Sequence, residues 1–242
     1  MPKMVIINWK MHYSLNESLF FLDKLQSLKN TSNFELIIAP PVPLLSYLLY
    51  KYTEYKFCTQ NISLFTGYGS FTGEYSAQMI RDIGVEYAIL GHSERKLYMN
   101  EKEAEIKIKV KNCLNAGITP IICVGEPITI RNSNSYKEFI KTQIINSVPQ
   151  NLSGKKIILA YEPMWAIGSG KSLDQDKINE IFDFIKNNED LKFLTENCCM
   201  VYGGSVGTKN YKNILSIENI GGLLLGSTSL KIDNIEIILR NV

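Results

Sequence analysis

Lys156-Ile157-Ile158-Leu159-Ala160, continuing into Tyr161-Glu162-Pro163-Met164-Trp165-Ala166-Ile167-Gly168-Ser169-Gly170-Lys171, decides how this chain is read. The first five residues read as a strand buried on both faces, because a short, almost wholly apolar run has no polar side to offer to water. A carboxylate, Glu162, stands at its C-terminal end. A stiff Pro-Met-Trp piece, an apolar tip and a Gly-x-Gly-Lys exit follow, and the glycines let backbone N–H groups approach an anion closely. The chemical content is a candidate general base at the end of a strand, followed by a loop built to move as one body.

Working outward, the same kind of apolar run recurs along the chain. The further runs are Met4–Trp9, Glu35–Ala39, Tyr55–Gln60, Tyr87–Gly91, Thr119–Val124, Cys199–Tyr202 and Gly222–Leu225. Amphipathic helical patterns lie between them. Leu15–Lys29 carries Leu19, Leu22, Leu25 and Leu28. Glu101–Ala116 alternates Glu and Lys around Ile106, Val110 and Leu114, and Tyr136–Val148 and Asp174–Asn187 behave alike. Strand followed by helix, eight times over, predicts an α/β protein with a closed (β/α)8 barrel. An open doubly wound sheet is the alternative, and the missing G-x-G-x-x-G at the first turn argues against it. No Pro/Gly/Ser-rich linker divides the chain, so one barrel domain over 1–242 is expected. Asn132-Ser133-Asn134-Ser135 reads as a loop with a helix cap.

Composition narrows the function classes. The 242 residues are 45% hydrophobic and 21% charged, ordinary for a globular cytosolic enzyme, and a net charge of +2 gives no general electrostatic case for nucleic acid or membrane partners. No stretch approaches the length of a membrane span. Met1-Pro2-Lys3 runs straight into the first strand, so no signal peptide is expected. Cys58, Cys113, Cys123, Cys198 and Cys199 form no C-x-x-C pair and read as reduced thiols in a reducing compartment, the cytoplasm. A zinc site would also need histidines, and the chain has only His12 and His92. No metal is expected.

In a barrel of this kind the site collects at the C-terminal ends of the strands. Those ends read Asn8-Trp9-Lys10, Gln60-Asn61, Gly91-His92-Ser93-Glu94-Arg95, Gly125-Glu126, Glu162, Tyr202-Gly203-Gly204-Ser205-Val206 and Gly226-Ser227. Each alone has an ordinary structural explanation: a solvated lysine, a hydrogen-bonded histidine, a surface Glu-Arg pair, a capped turn. Polar groups arriving at one rim from so many separate parts of the chain are harder to explain that way.

Asn8-Trp9-Lys10-Met11, Gly69-Ser70-Phe71-Thr72-Gly73-Glu74, Gly91-His92-Ser93-Glu94-Arg95, the loop motif around Glu162 and Tyr202-Gly203-Gly204-Ser205-Val206 resemble the triosephosphate isomerase family along essentially the full length of the chain. The resemblance implies a cofactor-free isomerase of glycolysis and gluconeogenesis. It would interconvert dihydroxyacetone phosphate and D-glyceraldehyde 3-phosphate by proton transfer through an enediolate. It implies Glu162 as the base, desolvated by a clamp of Ile167 and Leu224. His92 would be the neutral electrophile that polarises the carbonyl, and Lys10 the fixed positive charge. Asn8 would be a further substrate contact, with Glu94 holding Lys10. The phosphate would rest on backbone N–H groups of Gly168, Ser205, Gly226 and Ser227, as such dianion sites do at helix starts. Cys123 would support the site. Trp165 would contact Glu126 in the open lid, and Tyr202 and Ser205 would bond the closed one. The exposed aromatic loop around Phe71 implies a two-fold homodimer, in which Thr72 reaches the partner's Asn8 and Lys10 region and Glu74 pairs with Arg95 across the interface.

Three positions depart from the family's pattern as the resemblance sets it. Ser227 stands where a second glycine is commoner, Leu173 at the lid's exit hinge where a small residue is usual, and His12 where asparagine is frequent. His12 is read as an interface or loop variant. Two other readings remain open from sequence: a barrel acting on a different sugar phosphate, and a non-enzymatic scaffold. The retention of Lys10, His92 and Glu162 weighs against both.

Overall fold

A computed structural model describes residues 2–26, 34–152, 154–166, 172–194 and 196–240. Eight strands close into a parallel barrel in sequence order: β1 (Met4–Asn8), β2 (Glu35–Ala39), β3 (Lys56–Thr59), β4 (Tyr87–Leu90), β5 (Thr119–Val124), β6 (Ile157–Tyr161), β7 (Cys198–Tyr202) and β8 (Gly222–Leu225). Helices connect them: α1 (Leu15–Gln26), α2 (Val42–Lys51), α3 (Ala77–Asp82), α4 (Ser93–Tyr98), α5 (Glu103–Ala116), α6 (Ile128–Asn132), α7 (Tyr136–Ser147), α8 (Gln175–Asn187), α9 (Tyr211–Leu215) and α10 (Ile232–Arg240). Short 3-10 segments cover Glu189–Leu194 and Ser227–Leu230. No described helix is long and apolar enough to cross a membrane.

The alternation of side chains along each strand makes two cores. Alternate residues of the strands, among them Ile6, Ile37, Cys58, Ile89, Ile121, Ile158, Val201 and Leu224, fill the barrel interior. Their neighbours, such as Val5, Ile7, Ile38, Phe57, Leu90 and Leu159, face outward into a second, larger core against the helices. That is why the strand runs are apolar throughout. Helix α8 shows the matching stripe: Ile178, Ile181, Phe182 and Ile185 are buried at helical spacing. Gly222 closes the ring, because a Cβ there would stand 2.1 Å from the Met4 carbonyl oxygen across the β8–β1 seam.

Element ends move by a residue or two from the sequence reading. Trp9, Tyr55, Gln60, Gly91 and Lys156 fall outside the strands, whereas Tyr161 and Cys198 join them. The end of the first predicted helix, Ser27–Lys29, lies outside the described residues. One shift has content. Helix α5 begins at Glu103, because the Glu105 carboxylate accepts the Lys102 N–H at 2.7 Å and fixes the start there. Glu101 therefore precedes the helix, where it is buried and takes Lys109 and the Arg95 Nε (3.3 Å). All five thiols are free, with Cys198 and Cys199 only half-buried.

Candidate active site

The closing turns of the strands bring their polar ends to one rim, around a cavity of about 210 Å³. Asn8, Lys10, His92, Glu94, Glu162, Ser205, Leu224, Gly226 and Ser227, all singled out in the sequence, line it. Lys10 reaches it through a left-handed backbone (φ 54°), uncommon for a residue with a Cβ and seen chiefly where surroundings enforce it. The enforcing contacts are local. Asn8 Oδ1 accepts the Lys10 N–H at 2.9 Å, and Gln60 Nε2 donates to the Lys10 carbonyl at 2.8 Å. The ammonium then donates to Glu94 Oε1 at 2.5 Å.

His92 is the N-cap of α4. Its Nδ1 accepts the Glu94 N–H at 3.3 Å, so that nitrogen presents a lone pair and the ring proton belongs on Nε2. Nε2 points into the cavity, 3.7 Å from Glu162 Oε1. Glu162 hangs from β5 through its N–H to the Val124 carbonyl at 2.7 Å and is only 3% exposed. Its Oε2 is buried without a hydrogen-bond partner among the described residues. Gly203 is required here, since a Cβ would come within 2.7 Å of the Glu162 Cγ. A carboxylate this enclosed and this poorly satisfied is costly to keep unless something else uses it.

Behind this first layer stand residues that support it without lining the cavity. Cys123 lies inside the barrel, and burial first, then the nearby Glu162 carboxylate, push its thiol well up. Glu126 is fully buried. It accepts the Tyr161 hydroxyl at 3.1 Å and Trp165 Nε1 at 3.4 Å, with Arg131 at 3.5 Å. Burial raises its carboxyl above the usual range despite these partners. The Tyr202 hydroxyl accepts the Leu173 N–H at 3.3 Å, and burial pushes it up to about 12. Leu173, a departure noted in the sequence, thus touches the site's support through its backbone. Ile167 and Gly168 lie outside the described residues.

The structure adds cavity residues that the sequence reading did not assign. His12, set aside there as an interface or loop variant, lines the cavity, as do Val206, Thr228 and Leu230. The positive φ of Lys10 and of Tyr13 on either side turns the loop, leaving Met11 93% exposed. A signal existed for the others. Thr228 and Leu230 share the short 3-10 turn with Ser227, and Thr228 donates to the Val206 carbonyl, tying the β7 and β8 ends together. Ser227 is not among the residues with positive φ. Thr72, Glu74 and Arg95 do not line the cavity. Thr72 and Glu74 are exposed, and Arg95 bonds Glu101 within its own chain. Among the described residues no group of three or more His, Cys, Asp or Glu side chains is placed to hold a metal ion.

Known proteins resemble this chain over nearly its whole length. A family model described as triosephosphate isomerase matches residues 3–242. The triosephosphate isomerase of Orientia tsutsugamushi (strain Ikeda) is 38% identical over 248 residues, which cover 100% of this chain and 98% of that protein. That of Thermodesulfovibrio yellowstonii is 38% identical over 239 residues, covering 95% and 96%. A crystal structure of triosephosphate isomerase from Bartonella henselae superposes with a TM-score of 0.87 at 31% identity, over 98% of each chain. The chain belongs to the triosephosphate isomerase family.

Proposed function

We propose that this chain interconverts dihydroxyacetone phosphate and D-glyceraldehyde 3-phosphate, with Glu162, His92 and Lys10 as its catalytic residues. The observation that carries the reading is the meeting of an under-satisfied buried carboxylate and an imidazole Nε2, 3.7 Å apart, in a cavity that also receives the Lys10 ammonium. Glu162 takes a proton from the carbon next to the carbonyl and returns it to the adjacent carbon. Desolvation makes a carboxylate competent for that, and a positioned base contributes roughly 10²–10⁴-fold in rate. His92 gives its Nε2–H to the carbonyl oxygen as the enediolate forms and takes back the proton of the neighbouring hydroxyl, so that the carbonyl ends on the adjacent carbon. Lys10 holds positive charge near that oxygen, and Glu94 and Asn8 keep the ammonium and its backbone in place.

Ser205, Gly226 and Ser227 offer backbone N–H groups to the phosphate dianion, which accounts for how a chain of net charge +2 takes an anionic substrate without a lysine cluster. Leu224 lines the cavity with Glu162 and keeps water from the enediolate. Cys123 packs beneath Glu162, whereas Glu126, Trp165 and Tyr202 hold the two ends of the loop that follows it. No cofactor takes part in this reaction.

The reading extends to a cytoplasmic location, supported by the five free thiols, and to a homodimer. Phe65 and Phe71 stack at 3.6 Å yet remain 45% and 44% exposed, and Met11 beside Lys10 is almost bare, a surface suited to a second copy. In that dimer Thr72 supports the partner's Lys10 loop, and Glu74 adds a charge to the partner's Arg95. A coupled assay on glyceraldehyde 3-phosphate tests the reaction, with Glu162→Asp as its control. The shorter side chain withdraws the carboxylate from the substrate, and kcat is expected to fall about 10²-fold or more with the fold intact. Glu162→Asp turnover equal to that of the wild type would remove Glu162 from the mechanism. Sedimentation of the same sample reads the dimer.

A further inference from the structure

Lys96 is a buried cation that the mechanism above does not use. It lies one helical turn after His92 on α4, with its backbone N–H bonded to the His92 carbonyl at 3.3 Å and its side chain only 11% exposed. Burying an ammonium is costly, and burial does lower its proton affinity, so the position needs a compensating purpose. Its Nζ donates to the Cys123 carbonyl at 3.2 Å and stands 3.7 Å from Glu103 on α5.

The Cys123 contact matters because of what neighbours it. Strand β4 ends at Leu90, opposite Ile122, so on that side Cys123 lies one residue beyond the β4 ladder. Lys96 supplies the donor that β4 no longer can. The next carbonyl along β5, that of Val124, points the other way and receives the Glu162 N–H at 2.7 Å. Two consecutive carbonyls of β5 are thus clasped from opposite sides, by the helix that carries His92 and by the residue read as the base. Between them lies a small pocket of about 10 Å³, the size of one water, lined by Ser93, Lys96, Cys123 and Glu162 among others. The groups facing Glu162 there and from the cavity are Lys96, Cys123 and His92, with Lys10 across the rim.

We propose that Lys96 is a positioning residue for the reaction. It ties α4 to the end of β5 and so fixes the separation between His92 Nε2 and the Glu162 carboxylate, while placing a positive charge behind that carboxylate. The inference rests on the functional reading above. A loss of this tie loosens the pair that acts on the transition state, but leaves the backbone donors for phosphate alone.

The test uses Lys96→Met and Lys96→Arg in the full chain, with Lys107→Met as control. Lys107 donates to the Ile145 carbonyl at 2.8 Å, a tie of the same chemistry between α5 and α7, outside the residues lining the cavity. Lys96→Met is expected to lower kcat about tenfold or more with KM changed less than about twofold, and Lys96→Arg to restore most of it. Inhibition by a hydroxamate mimic of the enediolate should weaken about tenfold, while inhibition by inorganic phosphate stays put. Lys107→Met should lower the melting temperature and leave kcat unchanged. If Lys96→Met does not fold, Lys96→Gln takes its place, read per folded molecule. A folded Lys96 variant with wild-type kcat overturns the proposal, as does an equal weakening of both inhibitors. Absence of turnover in the wild-type protein would instead overturn the functional reading.

Discussion

Each end of the barrel holds a shielded glutamate, and the two are treated in opposite ways. At the N-terminal end, the Glu35 carboxylate accepts Lys56 Nζ at 2.6 Å and the Tyr87 hydroxyl at 2.9 Å. At the C-terminal end, Glu162 has an imidazole at 3.7 Å and one oxygen with no partner among the described residues. Burial alone would raise the Glu35 carboxyl, but the Lys56 and Tyr87 hydrogen bonds and the lysine charge overcome it and hold the group below the usual carboxylate range. The difference separates two uses of the same side chain. A strut is stabilising when its charge is met, as that of Glu35 is by two donors to its Oε1. The carboxylate proposed as the base keeps an oxygen unmet, so that the proton it takes is the substrate's. Glu126, buried just past β5, sits among the C-terminal residues yet has both oxygens met by Tyr161 and one also by Trp165, although burial still raises its carboxyl. Position on the rim is therefore not enough to make a carboxylate reactive.

The sharpest way to break this comparison is to remove the charge that only the C-terminal end should need. Lys10→Met is expected to fold and melt much as the wild type does. Its kcat should fall about a hundredfold, ~2.7 kcal/mol of transition-state stabilisation. The motive is the ammonium at the cavity wall, held 2.5 Å from Glu94 by a backbone in the left-handed region. Steady-state kinetics beside a melting curve decides it. A folded variant with near-normal turnover would show that the strained backbone at Lys10 serves something other than catalysis.

How much of this was legible in the sequence depends on whether a property is local. The strands were, because a run such as Ile157-Ile158-Leu159-Ala160 must be buried on both faces wherever it ends up. Order around the barrel followed from the strand–helix repeat. Rim residues such as Glu162 and His92 were legible because strand ends converge by topology alone. What the sequence hid is what depends on partners distant in the chain. Glu101 looks like the opening of a helix, and only the Lys102–Glu105 cap and the Arg95 and Lys109 side chains show that it precedes the helix as a buried anion. His12 reads as a loop variant until the left-handed turns at Lys10 and Tyr13 bring it to the cavity wall. Lys96 reads as an ordinary helix lysine until the end of β4 leaves the Cys123 carbonyl for it.

A smaller effect sharpens the comparison from the other end. Glu35→Gln should leave kcat untouched and cost ~1 kcal/mol of stability at neutral pH, since the pair with Lys56 is only partly shielded from solvent. The sign with pH follows from the depressed carboxyl. A group whose folded value lies below its unfolded one contributes fully above the unfolded value, near 4.5, and loses that contribution as pH falls through the folded value. The gap between wild type and variant in denaturant melts should therefore be open at neutral pH and narrow below about pH 4. A gap that widens on acidification would mean that Glu35 is held neutral, and the contrast with Glu162 would lose its basis.

The smallest effect concerns Ser227, whose side chain departs from the family's pattern. If the C-terminal end binds phosphate through backbone N–H groups, the identity of that side chain should hardly matter. Ser227 is exposed, opens the 3-10 turn Ser227–Leu230 and avoids positive φ, so its N–H is presented without strain. The turn is held by another residue. Ser229 Oγ donates to the Gly226 carbonyl at 2.7 Å and the Ser229 N–H reaches the same oxygen at 2.9 Å. Ser227→Gly should therefore leave KM for the triose phosphate within about twofold and lower stability by less than ~1 kcal/mol, the entropy a glycine adds to the unfolded chain. Kinetics on the purified variant reads both the site and its limit. A KM raised tenfold or more would make the Ser227 hydroxyl itself a phosphate ligand. The C-terminal end would then rely on a side chain where the geometry of the turn assigns the work to the backbone.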